Sequence, residues 1–118
     1  MIRFIAVLFG IGFIFAGVAG FLPSFTPNGL LFGIFEVNSM HNIVHLVSGV
    51  IAIMAATSHY FSRLFFQVFG VIYSIVAILG FARGGDLFIM HANMADNFLH
   101  LGIGVIALLL GFALAKHI

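Results

Sequence analysis

Cysteine is absent from this 118-residue chain, which excludes disulfides, thiolate metal sites and iron-sulfur clusters. Charge is nearly absent too: Asp, Glu, Lys and Arg make up 6% of the residues, where a soluble domain carries about 25%. A soluble globular domain is thereby excluded, and so is a disordered chain, which depends on charge to stay solvated. Four Lys plus Arg stand against three Asp plus Glu, a formal charge of +1, so there is no basic face for nucleic acid and no acidic tail. Also missing are a phosphate-binding loop, a dinucleotide glycine fingerprint and any Ser-His-acid or Cys-His arrangement. What remains is apolar: 64% hydrophobic residues and a mean hydropathy of +1.31 describe an integral membrane protein. Six His are then the main candidates for chemistry.

A bilayer span takes about 20 apolar residues. Four such runs lie between polar breaks: Phe4 to Leu22, Ser39 to Thr57, Leu64 to Ala82 and Asn93 to Ala115. The breaks are a turn-rich stretch from Pro23 to Gly29, a short Ser58 to Arg63 segment and the glycine turn Arg83-Gly84-Gly85-Asp86. Continuous runs of this length argue against a β-barrel, whose strands are about 10 residues and alternate. The first run is read as a helix because it is too long for a signal h-region. The expected fold is therefore all-α, a single membrane domain over residues 1–118 with four transmembrane helices. Arg3, Arg63 and Lys116 fall on one side and Arg83 on the other, so both termini are expected in the cytoplasm.

An internal repeat adds more. The segment from Asn38 to Ala52 aligns without gaps on Asn93 to Ala107, with eight of 15 positions identical. Arg3, Phe9, Gly10, Gly20 and Phe21 recur as Arg63, Phe69, Gly70, Gly80 and Phe81. Two tandem hairpins are expected, residues 3–57 and 63–117, related by a pseudo-two-fold axis along the membrane normal. At 100° per residue, Asn38, His41, Asn42, His45, Gly49, Ala52 and Ala56 share an arc of about 100° on the second helix. On the fourth, Asn93, Asp96, Asn97, His100, Gly104, Ala107 and Gly111 make the same stripe. Polar groups facing lipid are costly, so both stripes should point inward. The second and fourth helices are expected to touch near Gly49 and Gly104, because small residues allow close approach, and to diverge outward around a polar cleft. Gly12, Ala16 and Gly20 form another expected packing stripe, either within the bundle or between protomers.

The elements His41-Asn42-x-x-His45-Leu46 and Asp96-Asn97-x-x-His100-Leu101, the latter preceded by His91, resemble a widespread bacterial family of small four-pass membrane proteins classed as a domain of unknown function. The resemblance spans essentially the whole chain. It implies the four-helix fold, a place in the bacterial inner membrane and functional weight on His45 and His100. It implies no substrate, cofactor or reaction.

Chemistry must come from the cluster itself. His41 and His45 are four apart, as are Asp96 and His100, so each pair shares a helix face. Three imidazoles and a carboxylate suit a four-coordinate zinc ion or another first-row metal. Met40, Met90 and Met94 near the same end would favour copper. Haem is the second cofactor class, with His45 and His100 as axial ligands and Asn42 and Asn97 beside them. The alternative is a cofactor-free structural or accessory subunit, in a homo-oligomer or a larger membrane complex, whose Asn and His are hydrogen-bonded contacts between helices. A proton or solute path is disfavoured by the Gly/Ala contact expected in the inner half. His59 and His117 are read as interfacial, Gln67 as one interhelical hydrogen bond, and His91, Glu36 and Asp86 as loop residues near the mouth of the cleft.

Overall fold

The computed structural model describes residues 1–118. It is mostly helical, with four main helices: α1 (Ile2–Ala19), α2 (Ser39–Ala55), α3 (His59–Ala82) and α4 (Met94–Leu108). Three of these, α1, α3 and α4 with its continuation to His117, are long and apolar enough to cross a membrane. At 17 residues α2 is shorter. Its length is set by the turn that follows, in which Ser58 already caps α3 by accepting from the Phe61 N–H at 3.0 Å. That cap also starts α3 five residues before the apolar run at Leu64.

α1 packs chiefly on α2 and α3 chiefly on α4. The two pairs meet through aromatics of α1 and α3, with Phe9 edge-on to Phe66 at 5.0 Å and Phe13 against Tyr73 at 5.2 Å between ring centroids. Around an apolar core, large apolar side chains are widely exposed and several polar ones are buried. Phe4, Met54, Ile78 and Phe112 are exposed, whereas His41, Asn42, His45, Ser48, Ser62, Asp96, Asn97 and His100 are buried. A lipid-facing protein has this distribution, because lipid solvates apolar side chains and leaves polar ones to find partners inside.

Gly49 and Gly104 do not join α2 to α4. A Cβ on Gly49 would lie 2.8 Å from the Gly10 carbonyl and 2.9 Å from the Ile14 amide, both on α1. One on Gly104 would lie 2.7 Å from the Ser74 amide on α3. The glycines therefore serve close approach within each helix pair. Gly10 and Gly17 of α1, and Gly20 just after it, face α2, whereas Gly12 faces open space, so of the Gly12-Ala16-Gly20 stripe Gly12 does not pack within the chain.

Two elements were not foreseen. Leu30–Leu31 and Phe35–Glu36 form a small antiparallel sheet, β1 and β2, within the first long loop. Its turn needs left-handed backbone at Phe32 (φ 54°) and Gly33 (φ 74°), and the Phe32 ring is held by Phe15 and Phe25. At the other end α4 widens into a π-helix over Leu109–Leu114. There the Gly111 carbonyl accepts from both Arg63 Nε (3.2 Å) and Gln67 Nε2 (3.0 Å), which draw it out of the regular ladder. Arg3 Nε makes the matching bond to the Ala56 carbonyl at 2.7 Å.

Candidate metal centre

Helix α2 begins at Asn38, whose side chain accepts from the His41 amide at 2.9 Å. Helix α4 begins with a full capping box: Asn93 accepts from the Asp96 amide at 2.9 Å, and the Asp96 carboxylate accepts from the Asn93 amide at 3.0 Å. The free amides of the two cap residues reach across the molecule, Asn38 donating to the His91 carbonyl (3.3 Å) and Asn93 to the Ile34 carbonyl (2.9 Å). Each helix start is thus tied to the loop that leads into the other. The first turns of α2 and α4 are thereby held side by side, with the imidazoles of each pointing into the gap.

Three of the expected ligands come together there. His41, His45 and His100 are all buried, and one ligand atom from each lies within 4.8 Å of the others. His41 Nε2 is 3.3 Å from His100 Nε2. Two imidazole nitrogens bound tetrahedrally at 2.0 to 2.1 Å from one ion stand about 3.3 Å apart. His41 Nδ1 lies 3.1 Å from the Glu36 carbonyl. A carbonyl only accepts, so Nδ1 carries the proton and Nε2 presents its lone pair to the gap, the arrangement by which backbone groups orient metal-binding imidazoles. His45 Nε2 and His100 Nδ1 are buried with no hydrogen-bond partner.

The remaining expected ligands are placed elsewhere. Asp96 is buried, but its carboxylate is engaged at the helix cap and it is outside the trio. The spacing Asn93-x-x-Asp96 is itself a capping-box pattern, a signal present in the sequence. Asn42 and Asn97 face neither the trio nor each other: a Cβ on Gly20 would collide with Asn42 Oδ1, and one on Gly80 with Asn97 Oδ1. They sit where each helix pair is closest. Of the three methionines only Met90 lines the cavity beside the trio, while Met40 and Met94 are exposed.

That cavity has a volume of about 270 Å³ and is lined by all three imidazoles together with Ser48, Tyr73 and apolar side chains of α2 and α3. Ser48 Oγ and Tyr73 Oη are 3.0 Å apart. Neither residue was singled out from the sequence. A larger apolar groove of about 420 Å³, lined by Ile51, Met54 and Phe61 among others, lies further along α2 and α3 and contains no titratable group.

The trio suits one ion better than a macrocycle. Haem ligation would place two imidazoles on opposite faces of a flat ring. The His41 ring stands 4.4 Å from that of His45 and 5.3 Å from that of His100, centroid to centroid, with 6.0 Å between the latter two. His41 therefore occupies the plane a macrocycle would need.

Above the trio, His91 Nδ1 and Glu36 Oε2 are 2.8 Å apart and bridge the two outer loops. Hydrogen bonding to Glu36, reinforced by its charge, raises His91 above the ordinary histidine value of 6.5. The linkage has a definite sign: protonated His91 holds the bridge fully below about pH 6.5, and that contribution is lost as pH rises through the raised folded value. Glu36→Gln should return the His91 midpoint toward the ordinary value in an imidazole NMR titration, and an unchanged midpoint would dismiss the bridge. Asp86, the third loop residue, turns instead to the Phe88 amide and to Arg83, which hold its carboxyl below the usual range. Gln67 makes one bond between helices, to Gly111, and His59 bonds the Ala115 carbonyl at 2.9 Å.

No match was found among curated proteins or among solved structures. The paired His elements, their helix starts and the apolar frame that carries them all fall within one family profile covering residues 3–113, and the chain belongs to that family, a domain of unknown function (DUF4383).

Proposed function

We propose that this chain is a four-pass membrane protein whose His41, His45 and His100 hold a first-row transition metal ion, zinc or copper, between two tandem helical hairpins. The observation that carries the proposal is the meeting of three buried imidazole ligand atoms within 4.8 Å in an apolar frame, one of them oriented through Nδ1 by a backbone carbonyl. A cofactor-free accessory role accounts for Asn42 and Asn97, which pack against glycines. It leaves His45 Nε2 buried without a partner, at a cost of about 1 to 3 kcal/mol. An ion in the gap gives the His45 nitrogen the partner it lacks.

The fourth crossing follows from connectivity. Arg3 at the start of α1 bonds the carbonyl of Ala56 at the end of α2, so α2 returns the chain to the face where α1 began. If α1 crosses the bilayer, α2 does too. The positive charge of Arg3, Arg63 and Lys116 supports the reading in which that face is cytoplasmic, in a bacterial inner membrane, with the trio in the outer leaflet; reporters fused to the two termini should both read cytoplasmic, and opposite locations would refute the four-pass topology.

The direct test is elemental analysis of protein purified in detergent after expression in metal-replete medium. One zinc or copper per chain supports the proposal. Protein that carries no metal and takes up none on reconstitution makes the accessory role the better account.

A further inference from the structure

Comparison of the two repeats separates what the architecture needs from what it does not. Duplicated features make equivalent contacts: Gly20 against Asn42 and Gly80 against Asn97, Gly49 against α1 and Gly104 against α3, Arg3 to Ala56 and Arg63 to Gly111. The repeat breaks at three places that bear on the centre. His41 aligns with Asp96, Ser48 with Ile103, and Tyr73 with Phe13. His41, Ser48 and Tyr73 all line the 270 Å³ cavity, and all three are buried. Each hydroxyl aligns with an apolar residue of the other hairpin, Ser48 of the first with Ile103 and Tyr73 of the second with Phe13, so the architecture does not require a hydroxyl at either place.

We infer that the ion held by the trio keeps a coordination position open to this cavity, and that a small exogenous ligand binds there, coordinating through one atom and accepting a hydrogen bond from the Ser48-Tyr73 pair. The inference rests on the metal proposal above and adds a ligand site to it. Three protein ligands with a fourth position free is the pattern of reactive rather than structural zinc sites. The trio supplies three nitrogens, and Asp96, which accepts from the Asn93 amide at the helix cap, lies outside it. The hydroxyls supply the second recognition element. Ser48 Oγ and Tyr73 Oη share one hydrogen bond at 3.0 Å. Two hydroxyls carry two protons and one such bond uses one of them, which leaves an O–H to donate.

The cavity also limits what enters. Apart from the imidazoles and the two hydroxyls, its walls are Val44, Val47, Ile72, Val76 and similar side chains. Its rim residues Val47 and Ile72 are half-exposed on the outward faces of α2 and α3. A ligand that suits these walls has one donor atom for the metal, an acceptor for the hydroxyls and little other polar surface. No covalent or redox step is involved: the ligand adds to an open position or displaces water from it.

The test uses the full-length protein in detergent loaded with cobalt(II), whose visible absorption reports coordination, and azide as the ligand probe. Wild type loaded with one cobalt per chain should show a saturable change in the visible bands on azide addition. Tyr73→Phe, which installs the residue found at the equivalent place in the first hairpin, should bind cobalt equally well but weaken azide about tenfold, the size of one hydrogen bond to a charged acceptor. Ser48→Ile, copied likewise from Ile103, should exclude azide by filling the cavity while cobalt stays at one per chain. Cobalt bound stoichiometrically with no spectral response to azide would overturn the open position and leave the metal proposal standing. Azide affinity unchanged in Tyr73→Phe would overturn the role of the hydroxyl pair. Failure to bind cobalt at all would remove the metal proposal, and this inference with it.

Discussion

Replacing His41, His45 or His100 by Ala should take bound metal from one per chain to a trace, with a loss of affinity of at least about 100-fold. That bound follows because groups that only orient a ligand already cost about 10- to 100-fold when removed, and each of these imidazoles is read as a ligand itself. The inserted fold should survive. Four apolar helices do not depend on single polar contacts, which give about 0.6 kcal/mol each on average in membranes. His59→Ala is the matched control: its ring bonds the Ala115 carbonyl at the opposite end of the molecule and should leave metal content unchanged. Protons compete for imidazole nitrogen, so acidification should release the ion. Full metal content in the double variant His45→Ala plus His100→Ala would show that the ligands lie elsewhere.

His41 illustrates how far the sequence could be read. The i, i+4 spacing of His41 and His45, and the matching His100 in the repeat, put the three imidazoles on inward faces, because helical periodicity and the cost of exposing polar groups to lipid leave no other place for them. The same reasoning could not divide a stripe about 100° wide between two neighbours. Asn42 and Gly49 lie toward one edge of it and meet α1; His41 and His45 lie toward the other and meet α4. That division depends on the rotation of each helix about its axis, which is set by packing. Asp96 was drawn into the ligand set by its spacing from His100, yet its spacing from Asn93 signals a cap, and the cap is where its carboxylate is engaged. Ser48 and Tyr73 look like ordinary span residues until the repeat is laid over them and shows Ile103 and Phe13 in their places.

The glycines carry the second large effect. Gly49→Ala should destabilise the α1–α2 pair and Gly104→Ala the α3–α4 pair, each by about 1 to 3 kcal/mol, the usual cost of overpacking. Besides the side chains of Ile14 and Ser74, a new methyl would meet backbone, the Gly10 carbonyl at 2.8 Å in one case and the Ser74 amide at 2.7 Å in the other, and backbone cannot rotate aside. Gly12→Ala and Gly102→Ala have nothing within 4 Å, so the same substitution should there be neutral or stabilising by up to about 1 kcal/mol, the helical preference of Ala over Gly. Gly20→Ala is informative in a different way, since the atom it would strike is the Asn42 side chain, which a second substitution can remove. Asn42→Ala should restore most of the stability lost in Gly20→Ala, and the Gly80/Asn97 pair should behave alike. Thermal unfolding in detergent measures all of these. Rescue in one hairpin without rescue in the other would mean that the two Gly-Asn contacts are not equivalent, and that the repeat seen in the sequence does not extend to the packing of its helices.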